Sequence, residues 1–149
     1  MTPVAPPPSA VPRLRNLLYT GSVTGSWAAV ICLVVYGIGR AAGVPFEVAL
    51  PNATTLTVVP WYLVLVEPLV AGVVFALLSA LLLGRRHVRR VVYWCGTALA
   101  VLSLAGPLLQ PDSVLWSTRI WLVVLHAITW LFVVPQVARV AGDSDPVLA

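Results

Sequence analysis

Two side chains able to exchange a proton, Glu67 and His126, sit within stretches otherwise apolar enough to cross a membrane. An ionisable group in hydrocarbon is costly, so its presence there is a functional hypothesis in itself. Counted from the outer ends of their segments at the α-helical rise, both lie roughly 10 Å inside. Ser103 and the Gly106-Pro107 pair fall in the outer half of a third segment. Arg119 precedes His126 by seven residues, two turns away on the same helical face. The polar residues of three segments therefore converge in one half of the membrane.

Three kinds of chemistry fit that set. Glu67 and His126 can form an outward-facing pair that handles a proton or a small solute. Glu67 can be satisfied by His126 or Arg119 in a clamp that holds helices in register. It can also reach the outer interface, where a charge costs little. Pro68 adds a local acceptor, because a proline leaves the carbonyl four residues earlier, that of Val64, without its helical donor.

Signatures of other chemistries are missing: HExxH, GxSxG, P-loop and GxGxxG motifs do not occur, and no Cys/His set has metal-ligand spacing. The expectation is a protein without a catalytic residue, metal or cofactor. Cys32 and Cys95 are placed ~14 Å apart in depth, beyond the ~7 Å that a disulfide allows between Cα atoms, and read as two inert buried thiols. His87 lies in a basic turn and reads as a solvated interfacial residue.

The elements that must position these residues are helical and lipid-facing. Of the 149 residues, 60% are apolar and 9% charged, a balance that a small water-soluble domain does not show. Four apolar runs, at about 17–39, 60–83, 91–109 and 116–140, each meet the ~20 residues needed to span hydrocarbon. They predict a single all-α domain, a four-transmembrane-helix bundle over 17–140. Residues 1–16 form a disordered Pro-rich tail and 141–149 a short acidic one. A signal peptide is a poor match for the first run, which is too long for a signal core and is followed by Arg40 rather than a small-x-small site. In the first outer connection, residues 46–50 and 55–58 alternate or are β-branched around Pro51-Asn52, which predicts a short β-hairpin over the mouth of the bundle.

All nine basic residues are Arg, and the net charge is +4. They bracket the apolar runs instead of lining a polar face, which argues for membrane anchoring and against nucleic acid. Arg13, Arg15, Arg85, Arg86, Arg89, Arg90 and Arg139 fall on one side, and Arg40 and Arg119 on the other. That bias places both termini in the cytoplasm. The Arg85, Arg86, Arg89 and Arg90 cluster is suited to anionic lipid headgroups. With no hydrophobic drive between helices in lipid, close backbone approach must hold the bundle. Seams at four-residue spacing can supply it: Gly21 and Gly25 in the first helix, Gly72 and Ala76 in the second, Gly96 and Ala100 in the third.

Several stretches carry a resemblance: Ala41-Ala42-Gly43-Val44 with the β-rich segment after it, Ala71 to Leu78 before the Arg turn, Leu102-Ser103-Leu104-Ala105-Gly106-Pro107-Leu108, and Leu125-His126 followed by Val134-Pro135. Over residues 17–140 the chain resembles an uncharacterised family of small four-helix membrane proteins from high-GC Gram-positive bacteria, a domain of unknown function. The resemblance implies fold and membrane location and no activity. Glu67 falls outside those stretches, which favours a local role for that carboxylate. The leading expectation is a structural or partner-binding component of the inner membrane, embedded in the lipid bilayer, with a homodimer or an unidentified membrane partner as its contact. The alternative is a small proton-coupled transporter or carrier that uses Glu67 and His126.

Overall fold

The computed structural model describes residues 14–50 and 55–143. The chain forms α1 (Leu14–Ala41), β1 (Glu47–Ala49), β2 (Leu56–Val58), α2 (Trp61–Ala80), α3 (Val88–Ser103), the single turn α4 (Ala105–Leu108) and α5 (Trp116–Gly142). Helices α1, α2 and α5, and α3 with α4 as one span of 21 residues, are each long and apolar enough to cross a membrane. Large apolar side chains such as Leu81, Leu102 and Leu109 stand 69–81% exposed. In water such a surface would be a liability, but in lipid it is the solvent-facing side.

The helix ends differ from the expected ones for local reasons. α1 begins at Leu14, and Leu17 behind it is fully buried, so residues 14–16 are helix and not tail. α2 stops at Ala80 because the next three amides, of Leu81, Leu82 and Leu83, bond to carbonyls three residues back, tightening the last turn. Gly84 (φ 76°) and His87 (φ 58°) then reverse the chain. α3 starts at Val88, ahead of the apolar run, because Val88 is itself core and the stem of Arg89 packs against Gly142 of α5. The α3–α4 break falls where Pro107 denies the Ser103 carbonyl its helical donor. α5 continues to Gly142 with Ala141 buried. Residues 1–13 and 144–149, where tails are expected, and 51–54, where the hairpin turn is expected, lie outside the described residues.

The hairpin between α1 and α2 is antiparallel, with Glu47 opposite Val58 and Ala49 opposite Leu56. Phe46, just before β1, fastens it to the bundle. Its ring is completely buried, 4.5 Å from the Tyr36 ring centroid and 6.4 Å from that of Trp121. Its backbone takes φ 52°, a region costing a bulky residue about 1–3 kcal/mol. Gly39 makes the ring's seat, since a Cβ there would lie 2.7 Å from Phe46. The Tyr36 hydroxyl donates to the Val59 carbonyl (2.7 Å), and the Ala49 amide donates to Gln110 Oε1 (2.8 Å), tying the hairpin to both α1 and the α4–α5 connection.

Two apolar clusters hold the bundle, one at each end. At the termini end, Leu17, Ala76, Val88, Val92, Val137 and Ala141 pack together. At the hairpin end, Cys32, Tyr36, Val44, Phe46, Val64 and Leu125 do so. The closest helix pair is α1 and α2, where Gly21 and Gly72 interlock: a Cβ on either would run into the other's carbonyl oxygen, and one on Gly25 would meet the Pro68 carbonyl at 2.9 Å. Fully buried Ala76 lies in the same seam. α5 runs between α1 and α3, whereas α2 and α3 share almost no contact along their lengths. Where α2 does reach across, it does so through the Phe75 ring, which sits against Gly96 together with Val134. Ala100, expected to continue the α3 seam, is only half-buried and borders a cavity.

Gly72→Ala should therefore lower the stability of the purified protein by about 1–3 kcal/mol, the usual cost of overpacking. Gly37→Ala, inside α1 where an added Cβ meets nothing within 4 Å, should leave it the same or raise it by up to about 1 kcal/mol. Thermal unfolding followed by helical circular dichroism compares the two.

Candidate functional site: a groove between the second and third helices

Because α1 holds α2 and α5 holds α3, the space between α2 and α3 stays open along its middle. It forms a cavity of about 290 Å³, walled by Glu67, Ala71 and Val74 of α2, Leu99, Ala100 and Ser103 of α3, and His126, Thr129 and Trp130 of α5, with Cys32 of α1 at its back. Val59 and Val64 bound it towards the hairpin end, and Phe75, Leu78, Val133 and Val134 towards the termini end. The walls are mostly aliphatic, and the way in is sideways, past the exposed Ala71, Val74 and Leu99.

The polar side chains on these walls are engaged in one consistent way. The Ser103 hydroxyl donates to the Ala100 carbonyl (2.7 Å), and the Thr129 hydroxyl to the Leu125 carbonyl (3.0 Å). His126 Nδ1 is 2.8 Å from the Leu122 carbonyl. A carbonyl oxygen can only accept, so Nδ1 carries the proton, and in the neutral ring Nε2 is an acceptor. Trp130 Nε1 donates to Thr97 Oγ1 (3.1 Å), whose own proton goes to the Tyr93 carbonyl (2.9 Å). The Cys32 thiol lies 3.6 Å from the Leu125 carbonyl and 3.8 Å from Thr129 Oγ1. Each donor is thus spent inside the bundle. Glu67 stands at the exposed mouth and has no hydrogen bond or ion pair among the described residues.

The four polar residues expected to converge do so only in part. Glu67, Ser103 and His126 do border one cavity, but no hydrogen bond joins Glu67 to His126 among the described residues. Arg119 is elsewhere. Its guanidinium is buried under the α4–α5 connection, where it donates to the carbonyls of Leu108 (3.3 Å), Pro111 (2.7 Å) and Val114 (3.3 Å) and stacks 4.7 Å over Trp116. The clamp between Glu67 and His126 or Arg119 is therefore not formed. Arg119 instead satisfies carbonyls freed where α4 ends at Leu108. Buried Thr118 has no partner for Oγ1 among the described residues; the carbonyl four residues back, that of Val114, is the one Arg119 Nε uses.

Thr129 and Cys32 are further wall residues outside the polar set expected from the sequence. Thr129 follows His126 by three positions, so helical spacing alone could have flagged it. Cys32 had no such signal. Both cysteines are free; Cys32 is buried, but Cys95 is exposed on α3, contrary to the expectation of two buried thiols. His87 and all four arginines of the basic turn are exposed.

Residues 12–143 match DUF6069, a family of unknown function. The chain belongs to this family. The DUF6069 match takes in every helix, the hairpin and the whole groove, so the cavity is built entirely within family sequence. No curated protein and no solved structure matches the chain.

The engagement of Arg119 and the isolation of Glu67 predict opposite outcomes for two substitutions. Arg119→Met should cost about 1–3 kcal/mol by stranding buried carbonyls. Glu67→Gln should move stability by no more than about 0.5 kcal/mol, as at a surface site without partners. Thermal unfolding of both variants in the same detergent checks the pair.

Proposed function

We propose that this DUF6069 protein is a non-enzymatic component of the bacterial inner membrane that binds a small, largely apolar molecule drawn sideways from the bilayer into the α2–α3 groove. One observation carries the reading: the bundle is packed at both ends and unfilled at its middle, where the cavity opens laterally. Its volume of about 290 Å³ lies at the lower edge of the range typical of small-molecule sites. A partner's transmembrane helix, about 10 Å across, would need a trough along the full span, and the Phe75–Gly96 contact interrupts one. The carrier alternative requires the site to communicate with both membrane faces, and the two apolar clusters separate it from each.

In the same reading both termini and the Arg85–Arg90 turn are cytoplasmic, with the turn's guanidinium groups among anionic headgroups, and the hairpin faces outward. The support is the Arg distribution together with the clustering of the α1 start, the α2–α3 turn and the α5 end at one pole.

A photoreactive amino acid at Leu99, on the groove wall, should capture one discrete small molecule other than phospholipid in native membranes. Leu102, on the same helix outside the groove, should capture only bulk phospholipid. Capture of a polypeptide at Leu99, whether a second copy or another protein, would overturn the reading. For orientation, a membrane-impermeant maleimide should label Ser113→Cys in intact cells and His87→Cys only after lysis. The reverse pattern would invert the topology.

A further inference from the structure

The walls of the groove are chemically one-sided, and that narrows the occupant. Ser103, Thr129 and His126 Nδ1 all give their protons to carbonyls of their own helices, and Trp130 gives its proton to Thr97. What these cavity-lining side chains leave unspent are lone pairs: two hydroxyl oxygens and, in the neutral ring, His126 Nε2. The Cys32 thiol has the Leu125 carbonyl and Thr129 Oγ1 beside it. At the mouth stands Glu67, a carboxylate that accepts only and has no cation paired with it among the described residues. A ligand rich in acceptors would find no donor here, and an anion would meet repulsion. An apolar body carrying several N–H donors and a positive charge would meet aliphatic walls, acceptors within and a counter-charge at the entrance.

We infer that the groove is a binding site for lipophilic amines, in which an alkyl or aryl body fills the space between α2 and α3 and a protonated amine is held by Glu67, with the acceptors of Ser103 and His126 as further partners. This inference rests on the proposal that the groove binds a small molecule from the bilayer, and it adds the headgroup. Glu67 supplies the charge selectivity, since an ammonium–carboxylate hydrogen bond is stronger than a neutral one and more so away from bulk water. The apolar wall supplies affinity without discriminating among tails, because hydrophobic contact is non-directional.

The test uses the full chain in nanodiscs of zwitterionic phosphatidylcholine, with empty nanodiscs as the blank. Three probes share a ten-carbon chain and differ only in headgroup: decylamine, decanol and decanoate. Saturable binding is read by native mass spectrometry and by thermal stabilisation. Decylamine should bind one per chain, about tenfold or more tighter than decanol, the margin expected of a hydrogen bond to a charged group, and decanoate should not saturate. Glu67→Gln should lower decylamine affinity by about tenfold or more and leave decanol unchanged. Equal affinity for decylamine and decanol, or unchanged decylamine binding in Glu67→Gln, would sink the amine assignment while leaving a groove that binds apolar molecules. Failure of decylamine and decanol alike to saturate would overturn the groove-binding proposal along with it. The wild-type headgroup series is decisive even if Glu67→Gln were to fold poorly.

Discussion

Gly21 and Gly72 each place a backbone carbonyl where a Cβ on the other would have to stand. In a bilayer this close approach does the work that burial does in water, since lipid tails are as apolar as the side chains and give helices no reason to leave them. Once α2 is drawn onto α1 by this seam, it is no longer free to close on α3. α3 in turn is held by α5, through Gly96 against Val134 and through the bond from Trp130 to Thr97. The groove follows from the two pairings. It is the space left when each of two helices has a better neighbour than the other, and the Phe75 ring is what crosses it.

A second constraint shapes the inside of that space. Hydroxyl and imidazole protons in hydrocarbon need acceptors, and the nearest are the carbonyls three or four residues back on the same helix. Ser103, His126 and Thr129 all take that local solution. The consequence for recognition is collective: a wall whose donors are spent locally shows acceptors to anything that enters. Arg119 obeys the same need from the other direction, a cation covering carbonyls released where a helix ends. Its burial beside Trp116 is structural, and it leaves Glu67 without the basic partner that depth alone would have assigned to it.

The hairpin end adds a third element. Phe46 accepts an unfavourable backbone conformation, and its complete burial against Tyr36, Gly39 and Trp121 offsets the cost. The sheet thereby caps the bundle at that end, with Val59 bounding the groove there.

By itself the sequence determined the solvent, the number of apolar spans and the paired strands between the first two. Sustained apolar runs and bracketing arginines encode lipid exposure locally, and β-branched alternation in 46–50 and 55–58 encodes the two paired strands locally. Glu67, Ser103 and His126 were legible as a set because depth along a helix is a one-dimensional quantity. Which residues touch is not. Arg119 was misplaced because its partners are carbonyls, invisible in a side-chain pattern, and α3 began earlier than expected because Val88 is core although arginines surround it. Ala100 sits at seam spacing like Gly96, yet Gly96 is buried against Phe75 and Val134 while Ala100 is half-buried at a cavity wall. Glu67 and His126, the two polar residues within apolar spans able to exchange a proton, share a cavity with no hydrogen bond between them. Only the tertiary structure decided that, because the direction of a side chain and the choice of neighbouring helix depend on how every close approach in the bundle is resolved at once.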